Sequence, residues 1–211
     1  MRKSPWLGLI LFGMIYFVEG AVLTYFSTFN ALYLRRFDLS FTRIGVMSGI
    51  TLIPFVLKIF IGLLSDRVNV FGLGHRTPYI ILGLVVQSLA FACFPLVSPV
   101  DQFPLFVAVA VLAALGMSTY DTCTDGLSID TTPEDQRGLV QGVMVGGRAL
   151  SAIVTALVIG ILSERGLWPV AFWAIAGVGV LTIPLALAVR EPSERPPERM
   201  FSRAAFRAFW D

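Results

Sequence analysis

Six apolar stretches of about 20 residues each, separated by short polar connections, leave few folds open to this chain. A helix rises 1.5 Å per residue, so about 20 apolar residues cross the roughly 30 Å hydrocarbon core of a bilayer. The spacing predicts an all-α integral membrane protein, a bundle of six transmembrane helices near 6–34, 41–64, 78–98, 104–130, 138–162 and 168–189. Of the 211 residues, 56% are hydrophobic and 14% charged, against about 45–50% and 25% in soluble domains. The six-helix bundle is expected to occupy 1–190, which leaves little room for a soluble domain in these residues. The start, MRKSPWLGLILFGMIYFVEGA, also reads as a signal peptide. Against that, Glu19 stands where a small-residue cleavage site belongs and the apolar run continues to Leu34, so Met1–Leu34 is expected to be retained.

Charge sets the orientation. In alternate connections Arg2, Lys3, Arg67, Arg76, Arg137, Arg190, Arg195, Arg199, Arg203 and Arg207 fall on one side, and Arg35, Arg36, Arg43 and Arg165 on the other. Basic residues resist translocation, so the first set and both termini are expected in the cytoplasm, with the bundle in the cell's inner (plasma) membrane. The formal net charge of +2 comes with no basic patch, which argues against nucleic acid as a partner. Cys93 and Cys123 lie in separate apolar spans without CxxC spacing or clustered histidines, so neither a disulfide framework nor a metal site is expected. No cofactor-binding or catalytic motif stands out. From Glu191 the segment EPSERPPER, with three prolines, reads as a cytoplasmic linker over 191–211. Beyond it, Arg199, Arg203 and Arg207 at four-residue spacing leave two readings open, a short interfacial helix or the start of a longer linker.

A charged residue at the bilayer centre costs about 2.5–3.5 kcal/mol to insert, so each one inside a span is a functional candidate. These are Glu19 on the first span, Lys58 on the second, Asp121 and Asp125 on the fourth and Arg148 on the fifth. The third and sixth carry none. The order charged, charged, uncharged occurs twice, as a 3+3 inverted repeat would give if the first two helices of each triplet face an interior and the third faces lipid. Ser118, Asp121, Asp125 and Ser128 share one stripe of the fourth helix, and two lipid-facing carboxylates would cost about 5–7 kcal/mol, so that stripe is expected to face the interior. Counted from the cytoplasmic ends, Lys58 lies roughly 10 Å deep, Asp125 roughly 7 Å, Asp121 roughly 13 Å and Arg148 roughly 15 Å. Depth therefore pairs Lys58 with Asp125 and Arg148 with Asp121, leaving Glu19 as the carboxylate to exchange a proton with the solute pathway. An arrangement in which all five pair only for structure stays open. On the fifth span Gly138, Gly142 and Gly146 recur every four residues and are expected to admit a neighbouring backbone.

Between the second and third spans stands GLLSDRVNVFGLGHRTPYI. Gly62, Asp66, Arg67 and Arg76 resemble the cytoplasmic loop motif of the major facilitator superfamily, although the stretch from Arg67 to Arg76 is longer than the common pattern. FVEG at 17–20, Lys58 before the loop, and YDTCTDGLSIDTTPEDQRG at 120–138 narrow the resemblance to AmpG-type muropeptide permeases and acetyl-CoA transporter relatives. Folate-biopterin and bacteriochlorophyll-delivery transporters share parts of the pattern.

The resemblance implies half of a 12-helix major facilitator fold, with the Gly62, Asp66, Arg67 and Arg76 loop as a gating latch. The implied function is secondary active transport of a small organic solute, as a proton symporter. The chain then reads as truncated, or as completed by a second copy or a separately encoded half. The fifth span lacks the Gly-Pro signature of antiporters.

Two rivals are weighed. A membrane enzyme of the CDP-alcohol phosphotransferase type needs a DG-x2-AR run, whereas Gly126 is followed by Leu127, Ser128, Ile129 and Asp130. A non-transporting assembly or delivery factor stays open on sequence alone. The ten-to-four split of basic residues predicts that a reporter active only outside the cytoplasm, such as alkaline phosphatase, is silent when fused within 66–77 and active after Arg35. The reverse pattern would overturn the orientation.

Overall fold

The computed structural model describes residues 5–67, 74–189 and 191. The segment 192–211, with the open question of an interfacial helix, lies outside the described residues, as does 68–73. Among the described residues the secondary structure is wholly helical. Six helices long and apolar enough to cross a membrane run over Trp6–Arg35, Phe41–Asp66, Thr77–Leu96, Phe103–Thr131, Glu134–Glu164 and Trp168–Ala188.

Two of the six are irregular, each for a local reason. The first passes through a π-helical turn at Tyr25–Phe29 before resuming as Asn30–Arg35. Such turns occur where an extra residue must be absorbed without breaking the span. The second is divided into Phe41–Ile50, Ile53–Val56 and Lys58–Arg67. Pro54 has no N–H to give and its ring crowds the preceding turn. Tighter bonds, Leu52 N–H to Gly49 O at 3.2 Å and Phe55 N–H to Leu52 O at 3.0 Å, take up the slack. A second interruption, at Leu57, directly precedes Lys58, which opens the last segment.

The first helix packs along the fifth, and the third packs along both the fourth and the sixth. Small residues set these crossings, because without a solvent-driven hydrophobic effect membrane helices associate through close backbone contact. A Cβ on Gly20 would lie 2.6 Å from the carbonyl oxygen of Arg148, and one on Gly147 would run into the carbonyl of Gly13. Gly83 and Gly116 approach each other in the same way between the third and fourth helices. At the end of the bundle remote from Arg76, Tyr25, Phe91, Phe94, Phe106 and Phe172 interlock, with Tyr25 edge-on to Phe172 at 5.3 Å and Phe94 tilted on Phe106 at 5.0 Å. Each such pair contributes about 0.5–1.5 kcal/mol beyond its buried area.

Two expectations are corrected. Gly138, Gly142 and Gly146 meet nothing within 4 Å in this chain. The packing glycine of the fifth helix is Gly147, on a neighbouring face, because the buried line runs through Val140, Met144, Ser151, Thr155 and Ile159. The third helix is not simply a lipid-facing element either. Leu82 and Leu89 are exposed, but Ile80, Leu84, Gln87 and Phe91 are fully buried between the fourth and sixth helices. The second and fifth are the least buried. Freedom from charge marks a dry interior as readily as a lipid-facing surface.

The glycine crossing gives a contrast to measure. A methyl group at Gly20 meets rigid backbone, so Gly20→Ala should cost about 1–3 kcal/mol, whereas Gly142→Ala, with open space around it, should stay within about 0.5 kcal/mol. Thermal unfolding of the two variants in detergent reads this directly, and equal stability would contradict the crossing.

Candidate functional site

All five intramembrane charges lie on the four helices that carry them around one side of the bundle, and each finds a partner. The Arg148 Nη2–H donates to Glu19 Oε2 at 2.8 Å. Lys58 Nζ pairs with Asp121 Oδ2. Asp125 accepts from the hydroxyl of Tyr16. The Tyr16 ring in turn lies under the Arg148 guanidinium, 4.7 Å from its carbon, and Lys58 sits 5.5 Å from the Phe55 ring centroid. Tyr16 thus links the two halves of the cluster, through its hydroxyl to the fourth helix and through its face to the fifth.

The depth-based pairing is therefore overturned. Lys58 meets Asp121 and not Asp125, Arg148 meets Glu19 and not Asp121, and Glu19 is no longer the unpaired carboxylate. Counting residues gives height along a helix but not the direction a side chain leaves it. The crossing that sets Gly20 against Arg148 brings Glu19 to the same contact, and the segment Lys58–Arg67 packs on the fourth helix, carrying Lys58 to Asp121. The serine-aspartate stripe does turn inward at Ser118, Asp121 and Ser128, which are buried, while Asp125 is more open.

The cluster is asymmetric in exposure. The Glu19 and Asp121 side chains are each 4% accessible, whereas those of Lys58 and Arg148 are 33% and 41% accessible. The carboxylates form the floor and the cations the accessible surface. Arg148 Nε is buried without a hydrogen-bond acceptor, so the guanidinium has donor capacity beyond its bond to Glu19.

A second cluster closes the end of the bundle at the 62–76 loop. Arg76 reaches Asp66 Oδ1 through Nη2 at 2.9 Å and Asp130 Oδ2 through Nε at 2.9 Å. Its guanidinium lies directly on Gly126, where any side chain would collide with it. The backbone N–H groups of Arg76 and Thr77 donate to Glu191 Oε2 at 2.8 and 3.2 Å, so a carboxylate just past the sixth helix caps the start of the third. The side chain of Arg67 lies outside the described residues. Gly62 is 3.5 Å from Thr122 Cγ2 once a Cβ is placed on it, an ordinary contact that does not demand glycine. Tyr16, Asp130, Gly126 and Glu191 were not singled out as site residues from sequence. Tyr16 carried one signal, its position three residues before Glu19 on the same helical face.

The described residues thus form a six-helix bundle with paired charges within its spans and an ionic cluster at one end. The profile of the Major Facilitator Superfamily matches residues 6–210. The chain belongs to that superfamily. It is 28% identical over 204 residues to the folate-biopterin transporter of Synechocystis sp. (strain ATCC 27184 / PCC 6803 / Kazusa), an alignment covering 94% of this chain and 40% of that protein. It is 24% identical over 144 residues to the anhydromuropeptide permease of Escherichia coli (strain K12), covering 68% of this chain and 29% of the permease. The fold matches a bacterial homologue of the human lysosomal transporter Spinster, solved inward-facing and unoccupied, with a TM-score of 0.68 at 20% identity, over 99% of this chain and 50% of that one. The chain thus spans less than half the length of these curated relatives. Its relatives are transporters, not enzymes, and it is a multi-pass membrane protein.

The pairs make a test by rescue. Asp121→Asn should lose about 1–3 kcal/mol of stability by leaving Lys58 without its counter-charge, less than for a fully buried pair because Lys58 stays partly solvated. Adding Lys58→Ala should restore protein level and thermal stability, and adding Arg148→Ala should not. Rescue by Arg148→Ala alone would return the pairing to the one that depth suggested.

Proposed function

We propose that the chain is the N-terminal half of a proton-coupled secondary transporter that carries a small organic anion by alternating access. The observation that supports this reading is the exposure asymmetry: Arg148 and Lys58 present accessible cationic heads above buried carboxylates. A surface built this way attracts an anionic group and holds off cations. The relatives named for folate-biopterin and anhydromuropeptide transport favour an organic solute.

Coupling follows from competition for one guanidinium. When a substrate anion takes Arg148, Glu19 is left buried without its counter-charge, a state that costs several kcal/mol unless the carboxylate takes up a proton. Substrate and proton then enter together, and the site has the same net charge before and after. Release of the anion returns Arg148 to Glu19 and expels the proton. The exposed faces of the second and fifth helices, with Gly138, Gly142 and Gly146, are the surface for the remaining half of the transporter. The Arg76 clasp to Asp66 and Asp130, placed on the cytoplasmic side with both termini, breaks and re-forms as the halves rock.

In the full-length transporter containing this half, Glu19→Gln keeps the shape of the side chain but removes its proton. Accumulation driven by a pH gradient should be lost, while exchange of labelled for unlabelled substrate in liposomes continues. Normal accumulation by the variant would make Glu19 structural. Absence of any uptake or exchange by the unmodified protein would favour the delivery-factor reading.

A further inference from the structure

At the end of the bundle opposite Arg76 lies a group of cations that transport does not use. Arg35, Arg36 and Arg43 are exposed, and among the described residues no carboxylate is recorded within ion-pair distance of any of them. Each guanidinium is instead backed by an aromatic ring. Arg35 lies 4.8 Å from the centroid of Phe41, Arg36 5.9 Å from that of Trp168, and Arg43 5.8 Å from that of Phe103. Arg35 also donates to Leu39 O at 2.8 Å, which holds the turn between the first two spans in place. The buried Tyr33 ring links Trp168 to Phe37, at 5.0 and 5.3 Å.

Three features of this rim point to one kind of occupant. The guanidiniums lie beside aromatic rings, yet their N–H forks are left with few acceptors from the described residues. Phe37 and Phe41 are 42% and 75% exposed immediately beside them, an apolar surface next to the charges. Beneath Arg36, the indole N–H of Trp168 is buried with no acceptor, a second unfilled donor at the same place. The four helices that supply these residues begin or end here, at the level where a span leaves hydrocarbon and where aromatic rings concentrate in membrane proteins.

We propose that Arg35, Arg36 and Arg43, with Phe37, Phe41 and Trp168, form a binding site for the phosphate headgroup of an anionic phospholipid. The guanidiniums take the phosphate oxygens in a forked, charge-assisted geometry, and the exposed phenyl rings lie along the glycerol and upper acyl chain. Arginine suits this site better than lysine because a planar guanidinium stacks on a ring and still presents its N–H edge. The site does not depend on the transport reading, since it lies at the membrane interface away from the Glu19 and Asp121 pairs.

Native mass spectrometry of the 211-residue chain, titrated with phosphatidylglycerol or phosphatidylcholine of identical acyl chains, tests the site. The chain should retain phosphatidylglycerol in preference, and raising the salt concentration should weaken that preference. Arg36→Gln and Arg43→Gln should each lower retention by about fivefold, as expected for one basic group at a lipid surface. Arg137→Gln, which removes the same charge at the opposite end, should leave it unchanged. Equal retention of the two lipids by the unmodified chain would overturn the proposal without recourse to any variant. So would an equal loss in Arg137→Gln, which would mean bulk charge, or displacement of the lipid by glycerol 1-phosphate at equal concentration, which would mean a site for a soluble phosphate ester.

Discussion

The rest of the structure is arranged around the cost of holding Glu19 and Asp121 inside a membrane. Neither carboxylate faces water freely, and neither can face acyl chains, so each must have a cation from another helix at contact distance. Arg148 and Lys58 meet that requirement, at 2.8 Å in the first case. For Arg148 to reach Glu19, the first and fifth helices must approach until backbone nearly touches backbone. That is why Gly20 faces the Arg148 carbonyl and Gly147 faces that of Gly13. Lys58 reaches Asp121 from the start of a helical segment, just after an interruption of the second helix at Leu57. Ion pairs and helix crossings are thus two aspects of one solution.

The two ends of the bundle are held by different forces. At one, aromatic rings from the first, third, fourth and sixth helices interlock by dispersion and edge-to-face contact, interactions that do not depend on salt or protonation. At the other, Arg76 gathers Asp66 and Asp130 while Glu191 caps the third helix. Of these contacts only the Asp66 side chain is substantially exposed, whereas Arg76 and Asp130 are mostly buried, so this end depends on charge pairing where the other depends on ring packing.

Polar groups without protein partners mark places where the six-helix bundle is not self-sufficient. Both amide atoms of Gln87 and the hydroxyl of Tyr120 are buried and unpartnered in the core, and buried groups of this kind are commonly satisfied by internal water. Gln87 drew no attention in the sequence, because an uncharged polar residue in an apolar span is unremarkable until its surroundings are known.

The sequence by itself determined the class of fold and which charges the spans must hold. Span number follows from runs of apolar residues, and the five intramembrane charges follow from the cost of burying them; both are properties of the chain read in one dimension. The superfamily was legible for the same reason, in Gly62, Asp66 and Arg76 standing between the second and third spans. Tertiary structure alone decided who pairs with whom. Lys58 chose Asp121 over Asp125, Arg148 chose Glu19 over Asp121, and Gly147, not Gly138, Gly142 or Gly146, meets the first helix, because each choice depends on the rotation of one helix against another. Asp130 and Glu191 joined Arg76 across 54 and 115 residues of sequence for that reason too: residue counting measures height along a helix, and only packing sets the azimuth.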